Sequence, residues 1–177
     1  MMVITVQLNG LTQFQNVLAR AGAQIEQKAQ QAINRTLQRA RTQMTNAVGE
    51  KLNLKKKTIR ELISIQRANK IMGLMGKLTV KNKTVPLMEY NAKQNRKGVS
   101  FKIFRDRPRQ LIKHAFITPD SRGRDTVFKR ETQARLKIKP LYGTRVGDVG
   151  RDKLIKVKTC AGEFFEAELK RLLTLKK

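Results

Sequence analysis

The sequence predicts an α+β fold in which a long N-terminal helix and a C-terminal helix pack on a small, mostly antiparallel β-sheet. Three observations predict it. Apolar residues recur at three- and four-residue spacing through most of the first fifty positions. Short alternating stretches replace them across the middle, and helical spacing returns near the end. The 177 residues suffice for one domain of ordinary size spanning 1–177. Its expected parts are a long helix over about 11–48, a short helix over about 55–64, a β-rich region over about 65–140 and a C-terminal helix over about 162–175.

The chain opens on Val3-Ile4-Thr5-Val6-Gln7-Leu8, a strand-like alternation closed by the turn signal Asn9-Gly10. From Leu11 the period changes. Phe14, Val17, Leu18, Ala21 and Ile25 begin a stripe that continues through Ala32, Ile33, Leu37, Ala40, Met44 and Val48. No proline interrupts it and the opposite side is rich in Gln, Arg and Asn, the pattern of an amphipathic helix. Gly22 is where it can bend or break, and Gly49 is the expected stop. A second, short helix follows. Thr58 and Glu61 have the spacing of a capping box, with Asn53 as an alternative N-cap. Lys55, Lys56 and Lys57 stand at or before its first turn, where the helix dipole prefers anions. They read either as solvated side chains or as groups facing an external anion.

Beyond Ile65 the helical period is lost. Leu78 and Val80 alternate with Lys77, Thr79 and Lys81, and Val99, Phe101 and Ile103 alternate with Ser100 and Lys102. Leu111-Ile112, Ala115-Phe116-Ile117 and Val127-Phe128 are further short apolar runs. Lys81-Asn82-Lys83, Asn95-Arg96-Lys97-Gly98 and Pro119-Asp120-Ser121-Arg122-Gly123 read as turns between them, giving antiparallel strands with charged outer faces. Tyr142 to Gly150 reads as a glycine-punctuated connection. Phe165, Leu169, Leu172 and Leu173 then form the stripe of a last helix whose acidic start and basic end agree with the dipole.

Composition limits function. Lys and Arg number 39 against 13 Asp and Glu, a net charge of +26, with no Trp and 5% aromatics. The excess is uneven: +3 over residues 1–50, +14 over 51–110 and +9 over 111–177. Such a domain repels itself unless counterions or an acidic partner neutralise it. The 40% apolar content argues against a disordered polycation. No apolar run approaches the ~18 residues of a membrane span, and the start lacks the features of a signal peptide, so a soluble protein made inside the cell is expected. One cysteine, Cys160, rules out an intrachain disulfide framework.

No residue set forms an active site. His114 lies in Lys113-His114-Ala115-Phe116 without a carboxylate nearby in sequence and reads as a structural or surface residue. Cys160 reads as a small core residue. Gly147-x-x-Gly150 lacks the Lys-Ser/Thr of a phosphate loop. Asp148 and Asp152 read as partners in internal ion pairs rather than as metal ligands. The chain is therefore expected not to be an enzyme and to use no cofactor or metal. Two basic clusters remain as contacts for nucleic acid or an acidic partner: Lys55, Lys56, Lys57 and Arg60, and Arg105, Arg107, Arg109 and Lys113. They suit phosphate neutralisation rather than base reading, because aromatics are not interleaved with them. A freestanding nucleic-acid-binding protein with nonspecific phosphate contacts is one function this allows.

An ordered series of local patterns resembles the minor tail protein Z family of lambda-like tailed bacteriophages and prophages. It runs through Ala32-Ile33-Asn34-Arg35, the Lys-rich entry to the second helix, Val85-Pro86-Leu87, Ala115-Phe116-Ile117 and Val127-Phe128-Lys129-Arg130. The most specific member is Arg135-Leu136-Lys137-Ile138-Lys139-Pro140-Leu141-Tyr142-Gly143. The family typically continues with Pro-Ser-Val, where this chain has Thr144-Arg145-Val146. The resemblance covers roughly residues 25–175. It implies a structural virion protein of the tail or neck, made in the bacterial host cytoplasm and acting in tail completion and head–tail joining. The implied partners are the tail terminator, tail tube and head–tail connector, further copies in a ring, commonly of six, and phage DNA in the channel. No membrane partner is implied. In such a setting the long helix can serve the monomer core or a subunit interface, and its wide Ala-rich stripe favours the core.

Overall fold

The computed structural model of the chain describes residues 3–7, 23–69, 74–131 and 137–174. It is a mixed α+β fold with two long helices and several small antiparallel sheets, as the sequence predicts. The expected helical stretch over 11–22, its bend at Gly22 and the Asn9-Gly10 turn lie outside the described residues, as does residue 175.

Helix α1 spans Ala23–Lys51. Ala29, Ala32, Ile33, Leu37, Met44 and Val48 are buried along it, so the stripe read from sequence faces the core. Gly49 does not end the helix; two more residues follow, and Leu52 N–H still donates to the Val48 carbonyl at 2.8 Å. Helix α2, Lys56–Glu61, is shorter than the sequence suggests. Leu62 caps it, and strand β2, Ile63–Gln66, starts at once. Alternation in Ile63-Ser64-Ile65 outweighs helix continuation because Ile63 is fully buried opposite Val80 on the neighbouring strand. Neither expected cap is used. Lys55 is the N-cap and makes no side-chain cap bond. Thr58 Oγ1 donates instead to Glu89 Oε2 at 2.9 Å, and Asn53 Nδ2 to the Lys102 carbonyl at 3.1 Å.

The largest correction is at the C-terminus. Helix α3 spans Val146–Thr174, starting about sixteen residues before the expected position and absorbing the second half of the glycine-punctuated connection, whose first half, Tyr142–Arg145, is a strand. Gly147 is a helical position of close packing, since a Cβ there would stand 2.6 Å from Asn82 Oδ1, whereas a Cβ on Gly150 would make only ordinary contacts with Met44, Val48 and Val80. Glycine usually marks a turn in sequence, but here Gly147 lets the first turn of α3 approach the 81–83 turn.

Helices α1 and α3 lie antiparallel, since Arg35 pairs with Glu168 at one end and Lys51 with Asp152 at the other. Beneath them, β1 (Val3–Gln7), β3 (Lys77–Lys81) and β2 form a sheet in the order β1-β3-β2. Leu78 and Val80 of β3 point into the helix layer and are buried. The remaining strands make three further small sheets. One is β5 (Lys93–Asn95), β6 (Gly98–Phe101) and β7 (Gln110–Lys113). A second joins β8 (Ala115–Pro119), β9 (Asp125–Arg130) and β10 (Ile138–Pro140). The third pairs β4 (Thr84–Pro86) with β11 (Tyr142–Arg145). Every pairing is antiparallel. The three turns expected at 81–83, 95–98 and 119–123 connect β3–β4, β5–β6 and β8–β9.

Tyr90 holds the smaller sheets together. It ends a 3-10 turn, Leu87–Tyr90, and is fully buried, its hydroxyl donating to the Thr144 carbonyl at 2.9 Å. Burial pushes its phenol up to about 12. Gly143 lies flat on its ring, where a Cβ would come within 2.3 Å of Tyr90 Cε2. Leu87 N–H donates to the Leu141 carbonyl and Leu141 N–H to the Val127 carbonyl, tying three distant segments to one another.

Candidate functional site

Backbone pairing joins the two segments that carry the basic clusters. Leu52 forms a bridge with Phe104, Asn53 N–H donates to the Ile103 carbonyl at 2.7 Å, and Arg105 N–H donates to the Lys51 carbonyl at 2.9 Å. The chain entering α2 therefore runs antiparallel to residues 103–105, so Lys55 to Lys57 and Arg60 leave the pairing in one direction and Arg105 and Arg107 in the other. All six side chains are exposed. Without a capping side chain, the α2 terminus carries three lysines against its own dipole, an arrangement an external anion would relieve.

The eight residues are not equivalent. The Arg105 Nε donates to the Leu52 carbonyl at 3.3 Å, which fixes the stem of that side chain. Arg107 lies over the Phe104 ring at 4.7 Å, an arrangement that shields the ring while leaving the guanidinium edge to solvent. Arg109 is a clasp: its Nη2 donates to the carbonyls of Asn91, at 2.8 Å, and Ser100, at 3.0 Å. Lys113 lies further along the sheet. It pairs with Gly98 at the opposite end of the β6–β7 ladder from Gln110, three residues or about 10 Å away.

His114 is exposed at the sharp link between β7 and β8, with φ at 62°, and its backbone N–H donates to the Lys97 carbonyl. Cys160 is half-buried beside α1 rather than in the core. Asp148 accepts from Asn82 Nδ2 at 3.2 Å and pairs with Arg151 within α3, while Asp152 pairs with Lys51 of α1, so both carboxylates are engaged in exposed ion pairs near the start of α3. Among the described residues no group of three His, Cys, Asp or Glu is placed to hold a metal ion. No helix among them is long and apolar enough to cross a membrane.

A second basic grouping has no counterpart in the sequence reading. Arg35 and Arg39 project from α1, and Phe164, Glu168 and Arg171 from α3, into an open cleft of about 540 Å³. Glu168 is only 8% exposed. It accepts from Arg171 Nε at 3.0 Å and Nη2 at 2.8 Å, and from Arg35 Nη1. Arg171, and then Arg35, hold its carboxyl down at about 2. Arg39 lies 4.2 Å over the Phe164 ring. The i,i+4 spacing of Arg35 and Arg39 was a visible signal, but their partners are some 130 residues away and only the antiparallel packing of α1 on α3 joins them.

The residues behind the family resemblance are mainly architectural. Ala32 and Ile33 are buried, and Asn34 grips the backbone of Ala68 with both ends of its amide, at 2.9 and 3.3 Å. Val85, Leu87 and Val127 are buried around Tyr90, while Arg135 and Leu136 lie outside the described residues. No family model matches this chain, and no curated protein or solved structure is significantly similar to it.

Proposed function

We propose that this chain is a non-enzymatic structural protein of a phage or prophage virion, acting in tail completion and head–tail joining beside the DNA channel. The observation that carries the reading is the ordered motif series, three members of which meet at one point in the fold. Val85-Pro86-Leu87, Val127-Phe128 and Leu141-Tyr142-Gly143 are linked by backbone bonds around Tyr90. A series that builds one packed unit is better support for common architecture than scattered matches are.

Charge supports the same reading. Basic side chains outnumber acidic ones three to one, so internal ion pairing leaves most of the positive charge to be met from outside. A ring of copies around a DNA conduit, with tail terminator, tail tube and connector proteins as neighbours, would supply that counter-charge. In this reading the exposed Lys55, Lys56, Lys57, Arg60, Arg105 and Arg107 face the duplex or acidic neighbours. Microscopy of particles assembled without the protein tests the role. Heads and tails that fail to join are expected; normal, infectious, DNA-filled particles would refute it.

The exposed lysines at the α2 terminus also favour a second reading, a freestanding nucleic-acid-binding protein. It predicts a monomer that binds duplex DNA or RNA with steep salt dependence. Light scattering with and without neck proteins separates the two, because rings or partner complexes belong to the first alone.

A further inference from the structure

The arginine cleft continues along the outer seam of α1 and α3. Next to it, in the direction of the α3 N-terminus, lies a second hollow of about 290 Å³ lined by Lys153, Lys156 and, from α1, Gln43, Asn46, Ala47 and Glu50. From Arg171 to Lys153 is eighteen residues of helix, so the two hollows lie along about 27 Å of α3. Its walls carry five cations, Arg35, Arg39, Arg171, Lys153 and Lys156, against two carboxylates, Glu50 and Glu168. Glu168 acts as an anchor for guanidinium groups: it fixes Arg171 through two bonds and Arg35 through one, leaving both with donors to spare. The Phe164 ring fixes the third guanidinium, that of Arg39, by stacking.

We propose that this groove is a binding site for the phosphate backbone of a nucleic-acid duplex, with the arginine end and the lysine end meeting successive phosphates. A protein partner is the less suitable occupant because stable protein interfaces have an apolar centre. None of the large apolar side chains exposed among the described residues lines the groove, and its one aromatic ring is covered by Arg39. The neutral positions combine hydrogen-bonding side chains, Gln38, Thr42, Gln43 and Asn46, with the small Ala47, Val157 and Cys160. Fixed guanidinium forks, flexible ammonium groups and amide donors along a groove long enough for several phosphates are the features of backbone binding without base reading. The site is separate from the α2 edge and stands without the tail-completion reading.

Binding of a labelled 20-base-pair duplex, followed by fluorescence anisotropy across about 50–300 mM salt, tests it. Arg39→Gln with Lys156→Gln removes one cation from each end at exposed positions, leaving Glu168 and its two partners intact. The slope of log affinity against log salt is expected to fall by nearly two, at about 0.9 for each phosphate no longer neutralised. The charge-preserving pair Arg39→Lys with Lys156→Arg is expected to keep the slope, which separates charge from folding. An unchanged slope in the Gln pair overturns the proposal, as does no binding of the wild-type chain at the lowest salt. Displacement of the duplex by polyglutamate as readily as by unlabelled duplex would also overturn it, in favour of an acidic protein partner. Each of these results leaves the particle-assembly test unaffected.

Discussion

Three glycines and a glutamate show how much of this fold turns on single positions. Gly147 gives α3 its close approach to Asn82, and Gly143 likewise has no room for a side chain, because the Tyr90 ring occupies the place of its Cβ. Gly143→Ala is expected to cost about 1–3 kcal/mol in chemical denaturation, as overpacking does. Gly162, also in α3, has nothing within 4 Å of a would-be Cβ, so Gly162→Ala is expected to stabilise by about 0.5–1 kcal/mol. The opposite signs separate a glycine required by packing from one that is merely tolerated. Glu168 yields a pH dependence. Its carboxyl sits at about 2 in the folded chain against an ordinary value of 4.5, so the folded state holds the proton less tightly than the unfolded one. The stability this brings is complete above pH 4.5 and is lost as pH falls toward 2. The gap in stability between the wild-type chain and Glu168→Gln is therefore expected to be widest near neutrality and to close through that window.

At the scale of elements, the two long helices carry their own directional signals, but the termini of α2 do not. Glu26 and Lys51 in α1, and Asp148 and Arg171 in α3, stand at the ends their dipoles favour. The first turn of α2 has the opposite arrangement, with lysines where anions are preferred and no capping side chain. Replacing Lys55, Lys56 and Lys57 with Gln is therefore expected to leave the fold intact and to gain a few tenths of a kcal/mol per residue. The same triple change is expected to weaken salt-dependent association, and unaltered association would remove this edge from the interface. Packing between α1 and α3 stabilises the fold far more than any dipole does. Leu37 of α1 is 2% exposed in the core, so Leu37→Ala is expected to cost about 2–5 kcal/mol in urea denaturation. The boundaries of these elements were the least legible part of the sequence. Period alone identified α1, whose polar and apolar faces are distinct. It missed the first half of α3, where Gly147 and Gly150 replace larger apolar residues at buried positions and so erase the stripe that a helix normally shows.

For the whole molecule, the dominant quantity is the charge of +26 on 20.3 kDa. Like charges spread over a surface this small oppose folding, and salt screens them once the Debye length falls below about 10 Å. The melting midpoint is expected to rise between low salt and a few tenths molar, and to rise further with a polyanion that binds the folded state. A midpoint indifferent to both would mean that the excess is already compensated within the fold. The charge is also distributed in a way its position along the chain conceals. Residues 1–50 contribute a net of only +3, yet Arg35 and Arg39 from that stretch help line the arginine cleft with Arg171. The segments that carry the 55–60 and 105–109 clusters, fifty residues apart in sequence, are joined by backbone pairing at 51–53 and 103–105.

By itself, the sequence determined the fold class, the core face of α1, the antiparallel strands with their three turns, and the sign and size of the charge. Each follows from local periodicity, turn chemistry or composition, which need no knowledge of distant neighbours. Only the tertiary structure decided where α3 begins, which basic residues stand together, and that Glu168 clamps arginines from two helices. Those depend on how closely backbones approach and on which faces meet, and such contacts join residues separated by fifty to more than a hundred positions.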